Sequence, residues 1–276
     1  MTQQCDVSAA RESVVRASED LIDLQLTGQI AHIVLNRASK MNAINRPMLA
    51  GVREALAWAE GDRRVRAVVL RGAGRAFSAG GDLAEVGGLV QDSPRFSEFL
   101  DYWHDSLRRL ETSPLPIIAA VHGFAFAGGF ELTQVCDVVV IGDRTSLADQ
   151  HAKFGLFPAG GSTHRLPRLV PARVAAWMLM SGEAVTPHQA LSIGLVNEVV
   201  NETAVADRAQ AMAEVLASRS AAANAAIKAA VAAGKGLQIE DAIAAERPIA
   251  LAHMASHDVQ TGLEAFRSRT TPTFAT

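Results

Sequence analysis

Two stretches of the chain place a glycine pair just beyond an apolar, β-prone run. Arg75–Leu83 (RAFSAGGDL) follows Arg66–Leu70 (RAVVL), and His122–Leu132 (HGFAFAGGFEL) follows Pro116–Val121 (PIIAAV). Glycine pairs let the backbone turn sharply and let another group approach an N–H closely. In α/β proteins the loops at the carboxyl ends of strands are where ligands sit. If both turns aim an N–H at one point, they form an oxyanion hole for an enolate or a tetrahedral oxyanion, worth about 3–4 kcal/mol per donor. The second turn also opens a helix, whose N-terminal dipole acts in the same sense. Taken singly, either stretch reads equally well as a plain tight turn. Neither has the phosphate-cradling or dinucleotide-binding glycine spacing.

Glu131 falls in the first turn of the helix after the second glycine pair, where an acid also suits the helix dipole. The eight histidines show no cluster at metal-ligand spacing, so no metal site is expected. His32 and His122 read as structural, and His164 beside Arg165 as a surface pair. Ser78 lacks the frame of a nucleophile elbow.

These residues need a layered scaffold. Leu21–Leu26 and Ile30–Leu35 flank a Thr27-Gly28 turn and read as a hairpin. Apolar spacing predicts helices from about Pro47 to Ala59 and from about Pro94 to Leu110, the latter carrying Phe96, Leu100, Trp103 and Leu107. RAVVL, PIIAAV and Val138–Ile141 read as buried strands, so the order strand, turn, helix, strand predicts an α/β core. Beyond residue 170 the chain becomes mostly helical and Ala-rich, with only Leu195–Val200 extended. The expected organisation is a loose N-terminal extension over 1–19, an α/β core over 20–200 and a helical C-terminal subdomain over 201–276.

At 276 residues the chain can bury a sizeable core. A net charge of -3 argues against a sequence-wide basic surface for nucleic acid or anionic lipid. No apolar run reaches the roughly 18 residues of a membrane span. The first 19 residues lack the apolar middle of a secretory signal. Two cysteines, Cys5 and Cys136, give neither a disulfide framework nor a metal spacing, so the cytoplasm is the expected compartment.

The order of segments carries a resemblance. Asn36–Ala43 (NRASKMNA) comes first, then AFSAGGDL, then HGFAFAGGFEL with Cys136-Asp137 after it, then Phe154–Ser162 (FGLFPAGGS). This series, over about residues 21–270, closely resembles the crotonase, or enoyl-CoA hydratase/isomerase, family. The resemblance implies a spiral of repeated ββα units with a helical C-terminal part that makes trimers or dimers of trimers. It implies an acyl-CoA thioester as substrate, with coenzyme A as part of that substrate and no separate cofactor. Position by position, the oxyanion donors match the N–H groups of Gly81 and Gly128, and the carbonyl side of Ala79 matches an adenine contact. Lys40 matches a basic position near the CoA phosphates, though a solvated loop lysine is the other reading. Phe266 and Phe274 lie where the family closes over the nucleotide of a neighbouring subunit.

Hydrating a 2-enoyl thioester requires water at C3 and a proton at C2, and two carboxyl groups of differing pKa perform this well. Glu131 matches the first glutamate of the two-glutamate hydratases. The second is replaced by His151 in Asp149–Gly155 (DQHAKFG). An imidazole can act as acid or base near neutral pH, or it can simply shape the pocket. Asp149 could orient the imidazole or cap a short helix. The leading expectation is an enoyl-CoA hydratase-type lyase. Its rivals are another enolate reaction (isomerisation, decarboxylation or thioester hydrolysis) and a CoA-thioester-binding protein with little catalysis.

Overall fold

Hairpin chemistry sets the first edge of the sheet. A computed structural model of the chain describes residues 12–17 and 21–274. Strand β1 (Glu12–Ala17) pairs antiparallel with β2 (Ile22–Thr27), which pairs antiparallel with β3 (Ile30–Leu35) through a turn where Gly28 takes φ 60°. The β1 segment lies within the stretch expected to be a loose extension, and this is a correction. An uncovered β2 would present a row of free N–H and C=O groups, and β1 occupies that edge.

Helix α1 (Arg46–Gly61) then leads to β4 (Ala67–Gly72). Asn45 caps α1 through the Met48 N–H, and Pro47 suits its first turn. Helices α2 (Leu83–Gly87) and α3 (Ser93–Thr112) precede β5 (Ile117–Val121). Strand β6 (Phe124–Phe126), helix α4 (Gly128–Thr133), β7 (Val138–Gly142) and β8 (Ser146–Ala148) follow. Next come α5 (Ser162–Leu169), α6 (Ala172–Ser181), α7 (Pro187–Ser192) and β9 (Glu198–Val200). The chain closes with α8 (Val205–Ala217), α9 (Ala221–Gly234), α10 (Ile239–Met254) and α11 (His257–Ser268).

The main sheet runs β1-β2-β3-β4-β5-β7-β9, and from β3 onward every pairing is parallel. Parallel neighbours need long crossovers, and helices on both faces explain why β5 and the first four residues of β4 are apolar. On one face, Leu24, Ile33, Val68, Leu70 and Ile117 pack with α1 and α3 through Leu49, Leu56 and Leu107. On the other, Ile30, Val69, Ile118 and Val140 meet Val205, Ala209, Ala213 and Ala217, one stripe of α8 at four-residue spacing. The change to helical texture at 201 therefore does not coincide with a change of packing, because α8 completes the core. No helix among the described residues is long and apolar enough to cross a membrane.

A second sheet of only β6 and β8 lies beyond the carboxyl ends of β5 and β7, and an isolated bridge joins Ser78 to Ala125. This small layer brings the two glycine turns side by side.

Candidate active site

The first glycine turn is held by a buried amide. Asn42 Nδ2 donates to the carbonyls of Ala73, Ala76 and Phe77 at 2.9, 2.9 and 3.1 Å. Ser78 Oγ donates to Asn42 O and accepts from the Gly80 N–H. Within this braced turn the Gly81 N–H has no acceptor among the described residues. The second turn enters α4 through Ala127 at φ 47° and ψ −121°, a conformation that costs a residue with a Cβ about 1–3 kcal/mol. The Gly128 N–H, first in its helix, likewise has no acceptor. A Cβ on Gly128 would stand 3.2 Å from Gly81 N and would collide with the Trp103 ring, so only glycine allows this approach. Gly81 and Gly128, each with an unpaired N–H, thus stand side by side at the wall of a cavity.

Glu131 follows one turn into α4 and is buried. Its Oε1 accepts a long hydrogen bond, 3.4 Å, from the Ser162 N–H. Burial pushes its carboxyl up to about 7, with Asp149 adding to the rise and His151, Ser162 and Arg165 opposing it. His151 starts a 3-10 turn over His151–Phe154, after Gln150 in the left-handed region at φ 58°. Its Nδ1 lies 2.7 Å from Asp149 Oδ1. Burial opposes charging the imidazole, but the hydrogen bond and charge of Asp149, helped by Glu131, hold its pKa above the ordinary value. With Nδ1–H donating to the carboxylate, Nε2 is the nitrogen free for chemistry. Asp149 therefore orients the imidazole; it does not cap the 3-10 turn, which has no side-chain cap.

The cavity, of about 540 Å³, is lined by Ala79, Gly81, Gly128 and His151. Leu83, Val86, Phe96, Phe99, Leu100 and Phe154 make its walls apolar, as suits an acyl chain. The remaining expected residues lie elsewhere. Lys40 is exposed, in the 3-10 turn Ala38–Lys40, and the Ala79 N–H donates to the carbonyl of the adjacent Met41. Phe266 is 83% exposed on α11 and Phe274 is half-buried beyond it; neither lines the cavity of its own chain.

Three residues at the site had no sequence signal of function. Asn42 secures the first turn. Arg165, expected at the surface, donates to Gly160 O at 2.9 Å and to both Glu111 oxygens, fixing the turn Pro158–Gly161. Trp103 lines the cavity from α3, where its spacing marks it only as core.

Comparisons with known proteins show what the chain as a whole is similar to. The family model for enoyl-CoA hydratase/isomerase matches residues 25–276. A probable mitochondrial enoyl-CoA hydratase of Dictyostelium discoideum is 31% identical over 247 residues, covering 90% of this chain and 88% of that protein. The 2,3-dehydroadipyl-CoA hydratase of Escherichia coli (strain K12) is 32% identical, covering 88% and 93%. The crystal structure of an enoyl-CoA hydratase from Polaromonas sp. JS666 superposes with a TM-score of 0.88 at 29% identity, over 92% of this chain and 99% of that one. A match that runs from the first hairpin to the last helix makes the chain a member of the enoyl-CoA hydratase/isomerase family.

Proposed function

We propose that this enzyme adds water across the C2–C3 double bond of a 2-enoyl-CoA. The thioester oxygen sits between the Gly81 and Gly128 N–H groups. The water oxygen bonds to C3, and the π electrons move through C2 and C1 onto the thioester oxygen as an enolate. They return as C2 takes a proton. Glu131 and His151 move the two protons: one group accepts the proton that water loses, the other supplies the one C2 gains. The observation that carries this reading is the adjacent pair of unpaired N–H groups beside Glu131, whose pKa is about 7. A group poised near the working pH can serve as either acid or base. The chemistry uses no cofactor beyond the CoA of the substrate.

Ala79 O and Lys40 are assigned to the adenine and the phosphates. The Ala79–Met41 hydrogen bond supports this, because it puts the Lys40 loop beside Ala79. We further propose a homotrimer or a dimer of trimers, with Phe266 and Phe274 closing over a neighbour's nucleotide. Ile239, Ile243, Leu251 and Met254 on α10 are each more than half exposed, an apolar area that a second copy would cover. Sedimentation velocity checks the assembly. Cytoplasmic residence belongs to the same proposal, and fractionation of the source cell checks it.

Loss of conjugated-thioester absorbance with crotonyl-CoA and a longer 2-enoyl-CoA tests the reaction. Turnover by the parent that collapses in Glu131→Gln and falls in His151→Ala is expected. Binding without hydration would overturn the reading, and product analysis by mass spectrometry would then identify another enolate reaction.

A further inference from the structure

Trp103 is 4% exposed, yet its indole Nε1 has no hydrogen-bond partner among the described residues. The ring is fixed in place. It packs on Phe99 with centroids 5.8 Å apart, and its Cζ2 and Cη2 lie so near Gly128 that a Cβ there would collide with both. The benzo edge therefore lies beneath the oxyanion donor. The N–H edge faces Gly160: a Cβ on Gly160 would collide with both Trp103 Nε1 and Glu131 Oε2. Both atoms therefore lie against the Gly160 turn, and Gly160 and Trp103 both line the catalytic cavity. The two atoms are not bonded to each other, and Glu131 Oε2, unlike Oε1, accepts no hydrogen bond from a described residue.

A buried donor without an acceptor is unfavourable, and phenylalanine would fill the same apolar helix face without that cost. An unpaired donor and an unpaired acceptor against one turn match an oxygen that can accept from one and donate to the other. We propose that Trp103 Nε1–H and Glu131 Oε2 together hold the oxygen added at C3, as water before attack and as the 3-hydroxyl afterwards. This rests on the hydratase reading. The hydroxyl accepts from the indole and donates to the carboxylate, and Trp103 transfers no proton. Arg165, by holding Gly160 O, keeps the Gly160 turn against these two atoms.

The test compares binding of 3-hydroxybutyryl-CoA and of butyryl-CoA, which lacks the oxygen, to the parent and to Trp103→Phe by calorimetry. Loss of one hydrogen bond predicts about tenfold weaker binding of the hydroxy ligand and less than about twofold change for the saturated one. The kcat for hydration should fall about tenfold with KM little changed, because the contact forms with the reacting oxygen. Equal weakening of both ligands, or of neither, would overturn the proposal. A second measurement leaves Trp103 intact: in the W58F/W177F variant it is the sole tryptophan, so its indole N–H resonance is unambiguous. That resonance should move downfield with 3-hydroxybutyryl-CoA and much less with butyryl-CoA; identical shifts would refute the contact. A parent that binds both ligands but hydrates nothing removes the reaction assignment, whereas the ligand comparison still decides the Trp103 contact.

Discussion

Asp149 Oδ1 stands 2.7 Å from His151 Nδ1, with the carboxylate wholly buried and the imidazole at the edge of the cavity. A buried carboxylate therefore orients an imidazole at the cavity, where a two-glutamate site would set a second carboxyl against the substrate. Asp149→Asn keeps an acceptor for Nδ1–H but removes the charge. Burial, which lowers the imidazole pKa, then acts almost unopposed. The His151 pKa should fall from above its ordinary value to below it, read by NMR titration of the ring proton. The His151-dependent limb of the pH–rate profile should move to lower pH, and kcat should drop by part of the ~10²–10⁴-fold that acid–base catalysis supplies. An unmoved titration would remove Asp149 from the mechanism.

Glu131→Gln should cost roughly 10²–10⁴-fold in kcat, and it should also reverse a pH-dependent weakness. The folded state favours the neutral carboxyl, with a pKa of about 7 against 4.5 in the unfolded chain. Between those values the folded state binds more protons, so the stability owed to this group falls as pH rises. Glutamine lacks that fall. The variant's stability relative to the parent should increase from pH 5 to pH 8 by no more than about 3 kcal/mol, at ~1.4 kcal/mol per pKa unit. Urea unfolding at both pH values measures this, and an identical difference at the two would refute burial as the cause.

Asn42→Ala removes the one amide that holds three carbonyls of the first glycine turn. Buried carbonyls left without a donor should cost about 2–3 kcal/mol. Loosening of the Gly81 donor should lower kcat as well. Thermal unfolding and crotonyl-CoA kinetics report the two effects separately; stability loss with unchanged kcat would mean that the turn holds its geometry without the clamp.

Much of the core was legible because its signals are local. Apolar runs followed by glycine turns marked β4, β5 and the two turns, and alternating three- and four-residue spacing marked α1 and α3. What was not legible depends on partners distant in sequence. Strands β6 and β8 have three residues each and exist through their pairing, and β1 forms through the edge that β2 offers. Helix α5 (STHRLPRL) is polar and contains Pro167, and α11 buries only Ala265, so neither is anchored by an extensive core face. Asp149 and His151 lie two residues apart, but the turn geometry that joins their side chains is not written in that spacing. Trp103 shows the converse: its spacing marked a core residue, while its N–H belongs to the site.

Lys228 fixes the C-terminal helices to the core. From α9 its ammonium donates to Asp137 Oδ2 at 2.7 Å and to the carbonyls of Leu110 and Leu115 at 3.1 Å. Asp137 Oδ2 in turn accepts from the Ile117 N–H at the start of β5, so one cluster joins α9, α3 and the central sheet. Burial already holds the Asp137 carboxyl above its ordinary pKa despite the lysine. Lys228→Met leaves that partly exposed carboxylate and two carbonyls without their lysine donor and should destabilise by about 1–2 kcal/mol. Adding Asp137→Asn removes the unpaired charge and keeps an acceptor for Ile117, so the double variant should be more stable than Lys228→Met alone. Urea unfolding of the cycle measures the coupling, and limited proteolysis should cut first within α9–α11 of the single variant. Additive effects of the two substitutions would show that the helices are held by apolar packing, with the ion pair a bystander.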